Sequence, residues 1–544
     1  NKSAWGNALS ITHKSAIFAV DIIVSRRCNA CRDKNGLNTQ QYGTPFAPCS
    51  LTGCVVHTRV PEWQSHHATY CVGKRSMMFQ VILDVDQWAQ QQFGRCDFGD
   101  IRRTKRLVTM AAQFAQRPDG STPDQTENWA DLKAAYRFFD TDAVDHRAIL
   151  KPHFQNTRDL TQQLGGTVLL VADTTELQFG IHRDVEGLGP TGDGGGRGFF
   201  LHSSLAVDRC SGEALGLIEQ DLFHRQEAPE GETRTQKFAR QRESDVWGRI
   251  VDAVGAAPQS TVFRHVFDAG ADNYELFCHL IQSKCQWVLR AAQKHRIVLT
   301  ADGEQQPLQE ALSAQPVCCS KKVTVKPQPG QVGRTAEVDV RFVTISIPRP
   351  RSTTPWVRQH GAASIAMSAV ELIEPNPPAG CEALHWVLLT SDIVTDATGA
   401  LQFIADYEKR WVVEEFHKAA KTGCRVESRQ YATSARMELM TAVQCVVAVR
   451  LLQLRSHARL TPDRPALEVV PQEWVEVVSA TRHRGRRCTP STMTVRDFYR
   501  SLAKLGGFLG RKRDGEPGWI TIWRGFEKLQ LILRGVEFAR TRCG

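Results

Sequence analysis

The sequence predicts an α/β protein: a core of buried strands carrying a β-rich insertion, with helical regions before and after it. Three observations predict this. Short apolar runs end on aspartates, at 167–172 before Asp173 and at 261–267 before Asp268, the pattern of strands buried on both faces. The stretches before about 150 and after Met437 carry apolar residues at helical spacing. Between them, YEKRWVVEEFHKAAK sets Tyr407, Arg410, Glu414 and Lys421 at i, i+3, i+7 and i+14. At about 100° per residue these fall in one helical stripe about 60° wide, opposite Val412, Val413, Phe416, Ala419 and Ala420.

The chain has 544 residues and 42% hydrophobic content, enough for several domains and too apolar for a disordered chain. About 18 uninterrupted apolar residues occur nowhere, so no membrane partner is expected. Lys and Arg (68) outnumber Asp and Glu (58), a mild excess compatible with nucleic acid. The excess gathers in Arg102-Arg103-Thr104-Lys105-Arg106 and Arg511-Lys512-Arg513. Sixteen scattered cysteines without a secretory signal read as reduced thiols. Cys28-x2-Cys31 and Cys49-x4-Cys54 resemble a zinc-ribbon spacing. Residues 1–77 otherwise show little periodicity, and we expect them to be an extension rather than a working module.

The elements follow in order. Asp100 caps a basic helix from Ile101, apolar at Leu107, Val108, Ala111 and Phe114, and a second helix runs over 129–139. The strand at 167–172 precedes a hairpin, 199–207 and 214–218, around Arg209-Cys210-Ser211-Gly212. The strand 261–267 leads through Gly270 to a helix near Tyr274, capped by Asp272 or Asn273, then to a strand at 286–289 ending at Arg290. Alternating stretches between about 295 and 385 form the insertion, and a strand at 385–390 precedes the motif helix.

Two strand-end aspartates and a helical glutamate form a three-carboxylate set: Asp173, Asp268 and Glu414. Such a set repels itself unless cations neutralise it, and oxygen ligands suit Mg2+ or Mn2+. The stripe selects Glu414 over Glu415, which lies about 100° away and is expected to be a solvated flank.

From Met78 onward the chain resembles the bacterial cut-and-paste DDE transposases of the insertion-sequence-four family, the group with a Tyr-Arg-Glu-Lys motif, in a layout similar to that of transposon five. The matching pieces are Gly-Asp-x-Arg-Arg-Thr-x-Arg-Leu at 99–107, Ala-Tyr-Arg-Phe at 135–138 and Asp-Thr-Thr at 173–175. Further pieces are Arg242-Glu243-Ser244, Asp268-x3-Asp272 and Trp386-x-Leu-Leu-Thr-Ser391. Glu-Glu-Phe-His-Lys-Ala-x-Lys-Thr-Gly at 414–423 completes the order.

The resemblance implies a ribonuclease-H-like core and metal-dependent excision: a 3′ nick, a hairpin and its resolution, then strand transfer. Asp173, Asp268 and Glu414 would hold two Mg2+ or Mn2+ ions. Tyr407, Arg410 and Lys421 would grip a phosphate near the cut. Arg290 would contact DNA, and Trp386 and Trp411 would handle an unstacked base at the transposon tip. Arg102, Arg103, Lys105 and Arg106 would meet the DNA backbone. The implied domains are a DNA-binding region (78–150), a catalytic core (151–430) and a dimerisation region (431–544). The partners would be terminal inverted repeats, target DNA and a second copy, in the bacterial cytoplasm and on the nucleoid. One departure is Ala269, where relatives often carry arginine. The alternative is a catalytically silent DNA-binding or inhibitory derivative.

Overall fold

The computed structural model describes residues 84–543, except 181–184, 193–194, 226–228, 234–235, 237–241, 326–332, 461, 482–489 and 512–513. Residues 1–83, with Cys28, Cys31, Cys49 and Cys54 among them, and Lys512-Arg513 lie outside the described residues. Phe79–Lys322 and Thr335–Gly544 form one compact unit; the other, Asn1–Met78 with Val323–Arg334, lies almost wholly outside them.

The helices that come first are α1 (Val85–Phe93), α2 (Ile101–Gln116), α3 (Trp129–Phe139) and α4 (His146–Leu164), with a single helical turn, Thr122–Gln125, between α2 and α3. Asp100 caps α2 by accepting from the Arg102 N–H at 2.9 Å. Leu107, Ala111 and Phe114 are fully buried, while Val108 is only partly so.

The core sheet uses β1 (Gly166–Gln178), β2 (Gly196–Asp208), β3 (Ala214–Phe223), β4 (Thr261–Phe267) and β5 (Gln286–Arg290). Helix α5 (Val246–Val254) precedes β4, and α6 (Tyr274–Gln282) follows it. Beyond β5 come β6 (Arg334–Pro348), β7 (Ser364–Ile373) and β8 (His385–Thr390). The spatial order β3-β2-β1-β4-β5-β8-β7-β6 places β1 centrally, antiparallel to β2 and parallel to β4. This is a ribonuclease-H-like arrangement. The expected insertion is β-rich, and its strands extend the core sheet through β8, which pairs antiparallel with β5.

Helices α7 (Ala397–Glu408) and α8 (Trp411–Lys418) carry the motif. The chain closes with α9 (Ser434–Leu460), α10 (Gln472–Ala480), α11 (Val495–Leu505) and α12 (Trp519–Cys543). By length and composition α9 could cross a membrane, but 89% of its most apolar window is buried inside the protein, so it is a core helix. Its Arg450 is 1% exposed and lies 5.1 Å from the Trp88 ring, a cation–π contact that ties α9 to α1. Backbones of α11 and α12 approach so closely that a Cβ on Gly525 would lie 1.8 Å from the Leu502 carbonyl oxygen. Only glycine fits there. Cys96, Cys210, Cys278, Cys285, Cys318, Cys319, Cys381, Cys424 and Cys445 are free thiols.

Candidate active site

Pairing register brings the two aspartates together. Val171 of β1 lies opposite Val266 of β4 in the parallel ladder. Two residues further on, the chains reach Asp173 and Asp268. The expected strand end at Asp173 needs correction, because β1 continues to Gln178, held by β2 with Asp173 opposite Ser203. What ends at this point is the parallel neighbour: after Phe267 the chain turns, and Asp268 accepts from the Gly270 N–H at 2.8 Å. Asn273, not Asp272, caps α6. Asp272 is 5% exposed and accepts from the backbone N–H groups of Ala292 (2.7 Å) and Gln293 (3.2 Å).

The motif segment is not one straight helix, which corrects the assumption behind the 60° stripe. Between α7 and α8 the hydrogen bonds shorten to three-residue spacing, as in Arg410 N–H to the Tyr407 carbonyl (2.9 Å) and Val413 N–H to the Arg410 carbonyl (3.1 Å). After Lys418 the chain widens into a π-helical turn, Ala419–Gly423. A tight turn and a wide turn each reset the angle per residue, so Lys421 cannot be placed from Tyr407 by counting. Val413, Phe416, Ala419 and Ala420 still face inward, as expected.

Arg410 is the hub. Its guanidinium donates to Asp173 Oδ2 at 3.2 Å and to Glu414 Oε1. Burial, then the charge of Asp268, pushes the Asp173 carboxyl up to about 7, and Arg410 opposes the shift. Burial also raises the pKa of Glu414, again opposed by Arg410, with Asp268 adding to the rise. Burial works against the Arg410 charge, but Tyr407, Asp173, Glu414 and Asp268 together outweigh it and hold its pKa above the ordinary value. Asp173 and Glu414 therefore share one cation.

Among the described residues no three Asp, Glu, His or Cys side chains close into a ready-made cation cage. The donor chemistry nonetheless fits a divalent ion. The donors are all carboxylate oxygens, and burial, with the charge of Asp268 added, keeps Asp173 hard to ionise, so added positive charge would be favourable there.

Tyr407 is 6% exposed, its phenol beside Arg410 and Arg290, and burial raises its pKa. Trp386 is 8% exposed and meets the Tyr407 ring edge-on, with centroids 5.4 Å apart. Arg290 lies on the same side, donating weakly to the His385 carbonyl at 3.4 Å. Lys421 pairs with Glu427, its Nζ 3.5 Å from Oε1. In α2, Arg102 and Lys105 are exposed, while Arg103 donates to the Phe98 carbonyl and Arg106 to Asp131 at 2.8 Å.

Glu415 overturns the expectation of a solvated flank. Its carboxylate, 21% exposed, accepts from Arg455 Nη1 (3.1 Å), Trp519 Nε1 (3.1 Å) and Trp411 Nε1 (3.4 Å). The wheel argument placed it correctly away from Glu414, but the C-terminal helices cover that face.

Sequence reasoning also missed Asp406, which is fully buried. It accepts from Arg209 Nε (2.9 Å), Arg264 Nη1 (2.6 Å) and Gln402 Nε2 (3.1 Å). Arg264 also reaches Asp392 at 2.7 Å. The signal was available: an acid three residues after Phe403 on an apolar face, and an arginine inside the apolar strand 261–267, each needing an internal partner.

Three stretches match known families. Residues 85–144 match a transposase DNA-binding family, 238–449 a transposase DDE domain, and 446–544 a transposase Tn5 dimerisation domain. The DDE match includes Asp268 and Glu414, and Asp173 lies before it.

Proposed function

The chain belongs to the Tn5-like DDE transposases, and on that premise we propose that it excises a mobile element and joins it to target DNA, with Asp173, Asp268 and Glu414 as the metal-holding carboxylates. The observation that carries this is that Arg410 bridges Asp173 of β1 and Glu414 of α8, while the parallel register brings Asp268, at the β4 exit, level with Asp173. Those residues would hold Mg2+ or Mn2+, two ions in the fullest form. When bound, such ions ease activation of a water or 3′-hydroxyl and stabilise charge on the leaving oxygen.

The other residues have roles of their own. Arg410 neutralises the acids before the ions bind and is free to turn to a DNA phosphate once they do. Tyr407 orients that guanidinium, and Lys421 adds a second positive charge on the π-helical turn. Trp386 braces Tyr407, and both it and Trp411 are candidates for an unstacked base, where stacking contributes about 1–3 kcal/mol. Arg290, Arg102, Arg103, Lys105 and Arg106 supply backbone contacts to DNA. The region from 431 pairs two copies, and residues 78–150 bind the element ends.

One observation favours the silent derivative: Arg410 already bridges Asp173 and Glu414. A single assay separates the readings. Duplex DNA bearing the inverted repeats that bracket the gene is incubated with protein and Mg2+. The proposal expects a nick at the element boundary, absent in Glu414→Ala although that variant still binds the ends. Wild-type protein that binds the ends and never nicks them makes the silent reading correct.

A further inference from the structure

The two adjacent glutamates of α8 face different partners. Glu414 meets Arg410 and, through it, Asp173. Glu415 meets Arg455 of α9 and Trp519, the first residue of α12. Both partners lie within the stretch that matches the dimerisation domain. Trp519 does more than donate a hydrogen bond. It is 4% exposed and lies against the π-helical turn, where a Cβ on Gly423 would come within 2.7 Å of its ring. Leu451 of α9 borders the same glycine at 3.0 Å. The C-terminal helices thus hold α8 at Glu415 and the following turn at Gly423, on either side of the helix end.

A helix held by a charge-assisted hydrogen bond at one residue cannot rotate without breaking it, and the neighbouring side chain rotates with it. We propose that Glu415 is a positioning residue: through it α9 and α12 set the rotation of α8, and with it the aim of Glu414 and Arg410 at the two aspartates. The arrangement of the dimerisation region is thereby coupled to the carboxylate site in the same chain. The catalytic consequence rests on the function proposed above; the mechanical one does not.

The test is amide hydrogen exchange on the full chain, read by mass spectrometry in peptides covering 411–423 and 166–178. Glu415→Ala removes the acceptor. Arg455→Met removes a charged donor to Glu415 and leaves the Trp519 ring on Gly423 in place, so it guards against a misfolded first variant. Losing hydrogen bonds to a charged group should speed exchange of 411–423 by about ten-fold in both, with 166–178 unchanged. Glu415→Gln, which keeps a neutral acceptor, should fall between. End-DNA nicking should slow by a similar factor while the Kd for the ends stays the same. Unchanged exchange over 411–423 overturns the proposal. Exchange rising equally in both peptides also overturns it, because the residue is then a general stabiliser. A wild-type protein that does not nick would sink the proposed function yet leave the exchange result readable.

Discussion

Asp173 and Asp268 are placed by backbone, whereas Glu414 is placed by side chains. On the sheet side, parallel pairing from Gly166 with Thr261 to Val171 with Val266 delivers two aspartates to one edge. On the helix side, the segment tightens at Lys409 and Arg410, then widens after Lys418. It is steadied by buried charge: Asp406 on Arg264 and Arg209 below, Glu415 on Arg455 and Trp519 behind. A ladder of backbone hydrogen bonds tolerates changes of side chain. A buried ion pair does not, since removing one partner strands the other. The two halves should therefore fail differently.

The largest expected effect is chemical and should be shared by both halves. Asp268→Ala and Glu414→Ala should each lower Mg2+-dependent nicking by about three powers of ten or more, with end binding near wild type in a gel-shift assay. A sheet variant that nicked normally beside a dead helix variant would break the comparison.

Next comes the anchor of the helix half. Asp406→Ala leaves Arg264 and Arg209 without their shared carboxylate and should cost about 3–5 kcal/mol in denaturant unfolding. Replacing Arg264 and Asp406 together by leucine should cost less than Asp406→Ala alone. A double variant that cost as much as Asp406→Leu and Arg264→Leu added together would show that the pair is not coupled.

These anchors mark the limit of what the sequence made legible. The Asp100 cap, helix 129–139, strand 261–267, the Asn273 start of α6 and strand 385–390 could all be read from local signals. Caps, turn residues and apolar periods act over a few positions. Asp406 and Arg264 are 142 residues apart, and Glu415 and Trp519 are 104 apart, so no local pattern pairs them. The straight stripe was wrong for a related reason. The 3₁₀ and π turns come from packing, including Trp519 on Gly423, and YEKRWVVEEFHKAAK looks regular by itself. The neighbourhood of Asp173 and Asp268 was legible because each follows a buried apolar run, and the two runs pair in parallel.

A smaller effect sharpens the sheet side. His153 of α4 is 3% exposed, accepts from the Leu217 N–H of β3 at 3.0 Å, and lies 2.6 Å from Gln92 Oε1. Burial lowers its pKa from 6.5 to about 3. The unfolded chain therefore takes up a proton below pH 6.5 that the folded chain refuses. Above pH 6.5 the group costs nothing; below it stability should fall by about 1.4 kcal/mol per pH unit until near pH 3. Unfolding midpoints of wild type and His153→Gln, compared from pH 7 to 5, should converge as the pH drops.

The smallest effect lies outside both halves. Arg102→Ala or Lys105→Ala should weaken end binding with little sequence dependence and reduce the salt slope by about one. Arg106, paired with Asp131 and far less exposed than Arg102, which pairs with its own cap Asp100, should change it less.

The central claim is that acids from the sheet and the helix make one metal site. Mn2+ binding to the protein–end-DNA complex, followed by electron paramagnetic resonance, tests it most directly. The account predicts saturable binding in wild type and its loss in Asp173→Asn, Asp268→Asn and Glu414→Gln alike, with the DNA still bound. Undiminished Mn2+ binding in any one of the three would contradict it.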